Sequence, residues 1–188
     1  MDLFEFIVGI ISVILALALA QMFLGLASLI QRVDPVRLSL DHSAWVISLF
    51  LLTFIHWWSL WDFREIVWNF PRFLFALSAP SLMFFAATLI NPKEVASGPM
   101  DLADHFQQIR RPFFVVFIVM GSIMTMDGPM FGTEPLFNNL RVIQLAVILC
   151  AFAALVVASK RARVFSGIFA CAVLAFATIV RFTPGMAQ

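Results

Sequence analysis

The stretch FEFIVGIISVILALALAQMFLGLASLI, Phe4 to Ile30, contains one charged residue, Glu5. A bilayer core about 30 Å thick is crossed by roughly 20 mostly apolar helical residues, and this run exceeds that length. No basic region precedes it, and it is too long for the apolar part of a secretory signal. We therefore read it as a retained first span. Five further runs have the same character: Ala44–Trp61, Pro71–Ile90, Pro112–Phe131, Leu140–Ala158 and Val164–Phe182. Backbone facing lipid must satisfy its own hydrogen bonds, and these runs are continuous where barrel strands would alternate. The expected fold is an all-α integral membrane protein, a compact bundle of six transmembrane helices forming one polytopic domain over residues 1–188.

Composition agrees. Hydrophobic residues make up 62% of the chain and charged residues 12%, where ordinary soluble domains have about 45–50% and 25%. The net charge of +1 is spread as small basic clusters between spans, so no extended basic surface exists to grip nucleic acid. Cys150 and Cys171 lie within apolar runs, where a thiol behaves as a small hydrophobe, and no disulfide framework is implied.

Proline placement suggests where the spans stop and bend. Pro71 and Pro112 suit first turns, and Asn91-Pro92 suits an end. The Asp127-Gly128-Pro129 triplet predicts a break near the end of the fourth span, and Pro80 in LSAPSL predicts a kink in the third. Between these two spans, Leu102, Phe106 and Ile109 share one face of a predicted short amphipathic helix along the cytoplasmic surface. Three spans on each side of it would permit a 3+3 inverted repeat, a plan used by many transporters.

Basic residues set orientation. Arg32, Arg37, Lys93, Arg110, Arg111, Lys160, Arg161 and Arg163 lie in the first, third and fifth connections. Arg64, Arg72, Arg141 and Arg181 lie on the opposite side. This bias predicts an inner-membrane, multi-pass protein of the cell membrane with both termini outside the cytoplasm. Small residues at four-residue intervals, Ala146, Cys150, Ala154 and Ala158 in the fifth span and Gly167, Cys171 and Ala175 in the sixth, predict two ridges facing each other. Nearly free of internal ionisable groups, these two spans are the last of the six expected to hold a site.

Ionisable groups at membrane depth are functional candidates by default. With 1.5 Å of rise per residue, His56 lies about 18 Å from a start at Ala44, and Asp127 about 22 Å from a start at Pro112. Their depths therefore match. Trp57, Trp61, Arg64 and Trp68 share one face of a continuous helix, an interfacial belt, with Trp45 marking the other interface and His56 facing other helices. The candidate polar site comprises His56, Asp127, Gln21, Ser59, and the Ser78 and Ser81 hydroxyls beside Pro80. An Asp–His pair in a cavity could relay protons or hold a cation. In the structural alternative, His56 bonds a helix carbonyl and Asp127 caps the turn at Gly128. Asp62, Arg64 and Glu65 are expected in water, as are His42 and His105, with Asp41 and Ser43 as helix caps.

No zinc-protease H-E-x-x-H, G-x-S-x-G elbow, potassium filter or phosphate loop occurs. An enzyme is therefore the least supported class, and no cofactor is expected. A small transporter or channel for a proton, cation or small neutral solute is the first reading. The alternative is a non-transporting membrane component: an assembly factor, a sensor or a subunit of a larger complex. The expected partners are membrane lipids and either further copies in a homo-oligomer or another membrane protein, and no nucleic acid.

Overall fold

The computed structural model describes residues 2–92, 98–133, 139–157 and 159–182. Lys93 and Ala158, used above for orientation and packing, lie outside these, as does the side chain of Arg181. The order is α1 (Leu3–Ile30), β1 (Val36–Arg37), α2 (Leu40–Ser59) running into a 3₁₀ turn (Leu60–Phe63), α3 (Phe70–Ile90), β2 (Met100–Asp101), α4 (Leu102–Phe131), α5 (Asn139–Val156) and α6 (Lys160–Phe182). Five helices are long and apolar enough to cross a membrane, and α5 is a shorter apolar helix. The helices form a ring in which α1 neighbours α3, α3 neighbours α4, then α5, α6 and α2 follow in turn, with α2 closing on α1. The two halves pack differently: α1 lies along α3 in the first, whereas α5 lies between α4 and α6 in the second. This order gives the 3+3 repeat no support.

Two expectations from proline change. Helix α4 runs unbroken through Pro112 and Pro129, and Gly132, with φ +74°, ends it in the left-handed conformation that glycine adopts without strain. Its 30 residues span about 45 Å, longer than the apolar core of a bilayer. The amphipathic segment is thus no separate helix but the first turns of α4. Its apolar face points inward, with Leu102 and Phe106 fully buried and Ile109 against the core. In α3, Pro80 sits inside the helix, as expected.

The centre of one half is Trp45, which is wholly buried rather than interfacial. Its ring meets Phe114 at 4.8 Å, Phe117 at 5.3 Å and Phe113 at 6.4 Å, all near edge-to-face. Gly167 of α6 admits it: a Cβ there would lie 3.0 Å from both Trp45 Nε1 and Ala44 Cβ. The Cys171 thiol donates to the Ala44 carbonyl at 2.9 Å and lies 3.0 Å from Ser48 Oγ. The Gly167–Cys171 ridge therefore faces α2, not α5. The buried stripe of α5 is Val147, Ala151 and Ala154, so of the ridge anticipated above Ala154 is buried while Ala146 and Cys150 are only half-buried.

The connections at this end are tied together. Strands β1 and β2 pair in parallel, Val36 with Met100 and Arg37 with Asp101. Arg32 donates to the Gly98 carbonyl at 2.9 Å, and the Gly98 amide donates to Asp34 at 2.8 Å. Arg110 donates to the Val157 carbonyl at 3.1 Å. Ser39, not Asp41 or Ser43, occupies the N-cap of α2. Asp41 accepts from Ser39 Oγ and lies 3.8 Å from Arg163. His42 is buried, and both His42 and His105 donate from Nε2 to the Ile90 carbonyl, at 2.9 and 3.3 Å. The last turn of a helix leaves its carbonyls without amide partners, and at Ile90 these two histidines supply the donors. Neither is the solvated side chain anticipated above.

At the α1–α3 crossing, Asn91 donates to the Gln21 carbonyl above Gly25. A Cβ on Gly25 would fall 2.1 Å from Asn91 Oδ1. Gly25→Ala should therefore expel the amide and lose about 1 kcal/mol, lowering the melting temperature in detergent. Gly9→Ala, whose Cβ meets nothing within 4 Å, serves as the control. Equal melting of the two variants would show that the Asn91 contact is dispensable.

Candidate functional site

Helix α2 changes to a 3₁₀ turn after Ser59, and this change rearranges the aromatic end of the span. Trp57, Trp58 and Trp61 remain exposed, at 50%, 60% and 65%. Trp68, beyond the turn, leaves that face and packs on Phe131 at 5.6 Å between ring centres. A helical wheel continued past residue 59 had put it in the belt. Arg64 pairs with Glu65 at 3.2 Å with both side chains exposed, as expected of a headgroup or water position.

Inside this end, between α2, α4, α5 and α6, lies a cavity of about 90 Å³. Its polar lining is His56 and Ser59 from the end of α2, Asp62 from the 3₁₀ turn, Asp127 from α4, Thr133, and Arg141 and Gln144 from the first turns of α5. The rest is apolar, including Leu52, Phe117, Met124, Val147 and Leu174. Small residues leave the room, among them Gly121 and Gly128 of α4 and Ala177 of α6.

The six candidate residues divide. His56 and Asp127 line the same cavity, together with Ser59. His56 is 3% exposed, and neither ring nitrogen has a hydrogen-bond partner among the protein atoms. It therefore bonds neither Asp127 nor a backbone carbonyl, the two contacts expected of it. Asp127 is helical and partly buried, so it is not the cap of a turn at Gly128. Ser59 Oγ donates to the carbonyl of His56 at 2.8 Å, holding the main chain rather than the ring.

The other three lie elsewhere. Ser78 donates to the Phe75 carbonyl and Ser81 to that of Leu77, at 2.5 and 2.7 Å, so both hydroxyls are engaged by their own helix beside Pro80. Gln21 belongs to the α1–α3 crossing, where its carbonyl accepts from Asn91.

The residue that sequence reasoning misplaced is Arg141, counted above as a charge on the far side of the membrane. Only 5% of it is exposed. Its guanidinium donates to the Met124 carbonyl at 3.2 Å and to Gln144 Oε1 at 2.8 Å. Met124 precedes Thr125, whose carbonyl gets no amide from Pro129 four residues on, so Arg141 reaches α4 where its hydrogen-bond ladder is thinnest. The charge of Arg141 also acts on Asp127. The one sequence signal was spacing: Arg141 and Gln144 lie three residues apart and so share a helix face. The two spans expected least of all to hold a site both line this cavity, α5 through the guanidinium of Arg141 and the amide of Gln144, α6 through Leu174 and Ala177.

The cluster thus joins a fixed positive charge, two carboxyl side chains, an imidazole and an amide within an apolar frame. Such a set can hold a small polar solute by hydrogen bonds or pass a proton between carboxylate and imidazole.

If Arg141 were a solvated topology charge, replacing it would be close to neutral. Buried as it is, Arg141→Leu should cost about 1.5–3 kcal/mol, the range for hydrogen bonds made by a charged group. Arg141→Lys should restore only part of this, because an ammonium lacks the planar fork. Thermal melting of the three proteins in one detergent measures both effects, and wild-type melting of Arg141→Leu would contradict the burial. Comparison with protein-family models, curated proteins and solved structures gave no match.

Proposed function

We propose that the protein is a small multi-pass membrane transporter or channel, and that the cavity between His56, Asp127, Arg141 and Gln144 is where its solute or proton is held. The observation that carries this reading is the partly open cavity, lined by ionisable groups, in an otherwise apolar bundle. Polar and ionisable groups are costly at membrane depth and are commonly found at solute and proton pathways.

Size narrows the solute. A buried water needs about 10–15 Å³ of such space, so about 90 Å³ accommodates a few waters or one small solute. Arg141 lines the cavity beside the carboxyl groups of Asp62 and Asp127, so a proton, a small cation and a small neutral polar solute all remain within this reading. His56 and Asp127 are the groups that would exchange protons, and Arg141 would keep Asp127 oriented toward the cavity.

The cavity occupies one end of the bundle, and the aromatic cluster around Trp45 fills the other. A complete path therefore requires Trp45 and Phe113, Phe114 and Phe117 to move, or a neighbouring chain to complete it. The proposal includes assembly with further copies or with a partner membrane protein, and placement in the cell membrane with both termini outside the cytoplasm.

In proteoliposomes carrying a pH-sensitive dye, a proton gradient should dissipate faster with the protein than without it. Asp127→Asn and His56→Ala should each slow this by roughly tenfold or more, the scale at which a lost proton-transfer group is felt. Melting curves would show that both variants are folded. Proton flux equal to wild type in both would remove these residues from the mechanism. Water or urea flux under an osmotic gradient, measured in the same vesicles, tests the neutral-solute arm.

A further inference from the structure

A second concavity, of about 710 Å³, lies on the outer surface of the same end, between the first turns of α1 and the end of α2. Its walls are Trp57, Trp58 and Trp61, facing Glu5, Gly9 and Ser12. Trp57 Nε1 donates to Ser12 Oγ at 3.1 Å, joining the two helices. From Phe4 to Ser12 the groove follows α1 for about 12 Å, reaching from its first turn into the apolar part of the span.

We propose that this groove binds a zwitterionic phospholipid of the surrounding bilayer through its ammonium headgroup. Three indole side chains line this one space, and tryptophan is the ring whose π system attracts an ammonium best. Glu5 adds a carboxylate, exposed and in place through a 3.1 Å bond from the Asp2 amide. Arg64 stacks over Trp61 with its guanidinium carbon 5.4 Å from the ring centre, so the rim carries a cation beside the cage. Carboxylate, rings and guanidinium in that order complement a headgroup with an ammonium outside and a phosphate beside it. An anionic lipid would instead bring its charge toward Glu5. The lower groove, from Val8 to Ser12, is apolar enough for the start of an acyl chain. Tryptophans at a span's end mark the level at which headgroups lie, so such lipids have direct access to the groove.

Gly9 offers a clean probe. It is exposed on the groove side of α1, and a Cβ there meets nothing within 4 Å. Gly9→Leu should therefore fill the groove without disturbing the packing of α1. The experiment reconstitutes full-length protein in nanodiscs made from equal amounts of phosphatidylethanolamine and phosphatidylglycerol, and counts retained lipids by native mass spectrometry. Wild type should retain the ethanolamine lipid over the glycerol lipid by about fivefold, as one cation–π contact implies. Glu5→Gln, which keeps the rings and removes the carboxylate, should lower this ratio by about twofold, the scale of an exposed ion pair. Gly9→Leu should lower the number of ethanolamine lipids retained while melting like wild type. Equal retention of the two lipids by wild type, a preference for the glycerol lipid, or retention unchanged in both variants would overturn the proposal. The result is separable from transport, because neither variant touches the cavity at His56.

Discussion

Trp45 determines how the helices can be spaced. Its indole lies between α2, α4 and α6, against three phenylalanines of α4 and the bare backbone of Gly167. In lipid the hydrophobic effect does not drive helices together, so contact depends on fit and on a few hydrogen bonds. The indole fills the gap at one end of the bundle. Sixteen Å or so along α2, where His56 stands, Gly121, Gly128 and Ala177 line the cavity beside Phe63 and Phe117. Close filling around Trp45 and small residues near His56 together leave the open space at one end of the bundle.

The two ends differ in polar connectivity as well. Around Ile90 and Asp41 every connection is tied to another, through the strand pair, Arg32, Arg110, Arg163 and the two histidines on a single carbonyl. A carbonyl oxygen has two lone pairs, and His42 and His105 occupy both in place of missing amides. Helix ends buried without partners would be costly, and these contacts make that end stiff. At the opposite end, the imidazole of His56 is buried with neither nitrogen bonded to protein. A structural polar group is normally satisfied where it is buried. The contrast between His42 and His56, both buried histidines on one helix, separates a histidine that holds the fold from one available to a solute.

How far the sequence was legible depended on the range of the signal. Apolar runs are a local property, and the helices over Phe4–Ile30 and Pro71–Ile90 appear within a residue of their expected limits. Proline signals also act locally, yet Pro112 and Pro129 were overridden, because a helix packed among neighbouring helices tolerates a lost ladder bond. Side-chain facing was less legible. Gly167 and Cys171 met α2 rather than α5, and Trp68 left its predicted face, since one 3₁₀ turn after Ser59 resets the wheel. Arg141 was hidden for a different reason: a basic residue at a span's edge counts equally as a topology signal and as a buried ligand, and only the tertiary fold distinguishes the two.

The position of Arg141 also bears on why a polar cavity persists in so small a bundle. A guanidinium that is bonded to a carbonyl and an amide cannot be traded for an apolar side chain without stranding its acceptors, so the polar cluster is fixed as part of the packing of α4 against α5. His56 is under no such constraint. An apolar residue of similar size at position 56 would satisfy the packing equally and leave no unbonded nitrogens. Of the residues lining the cavity, it is therefore the side chain whose presence the fold explains least, and the one whose chemistry most requires something other than protein to complete it.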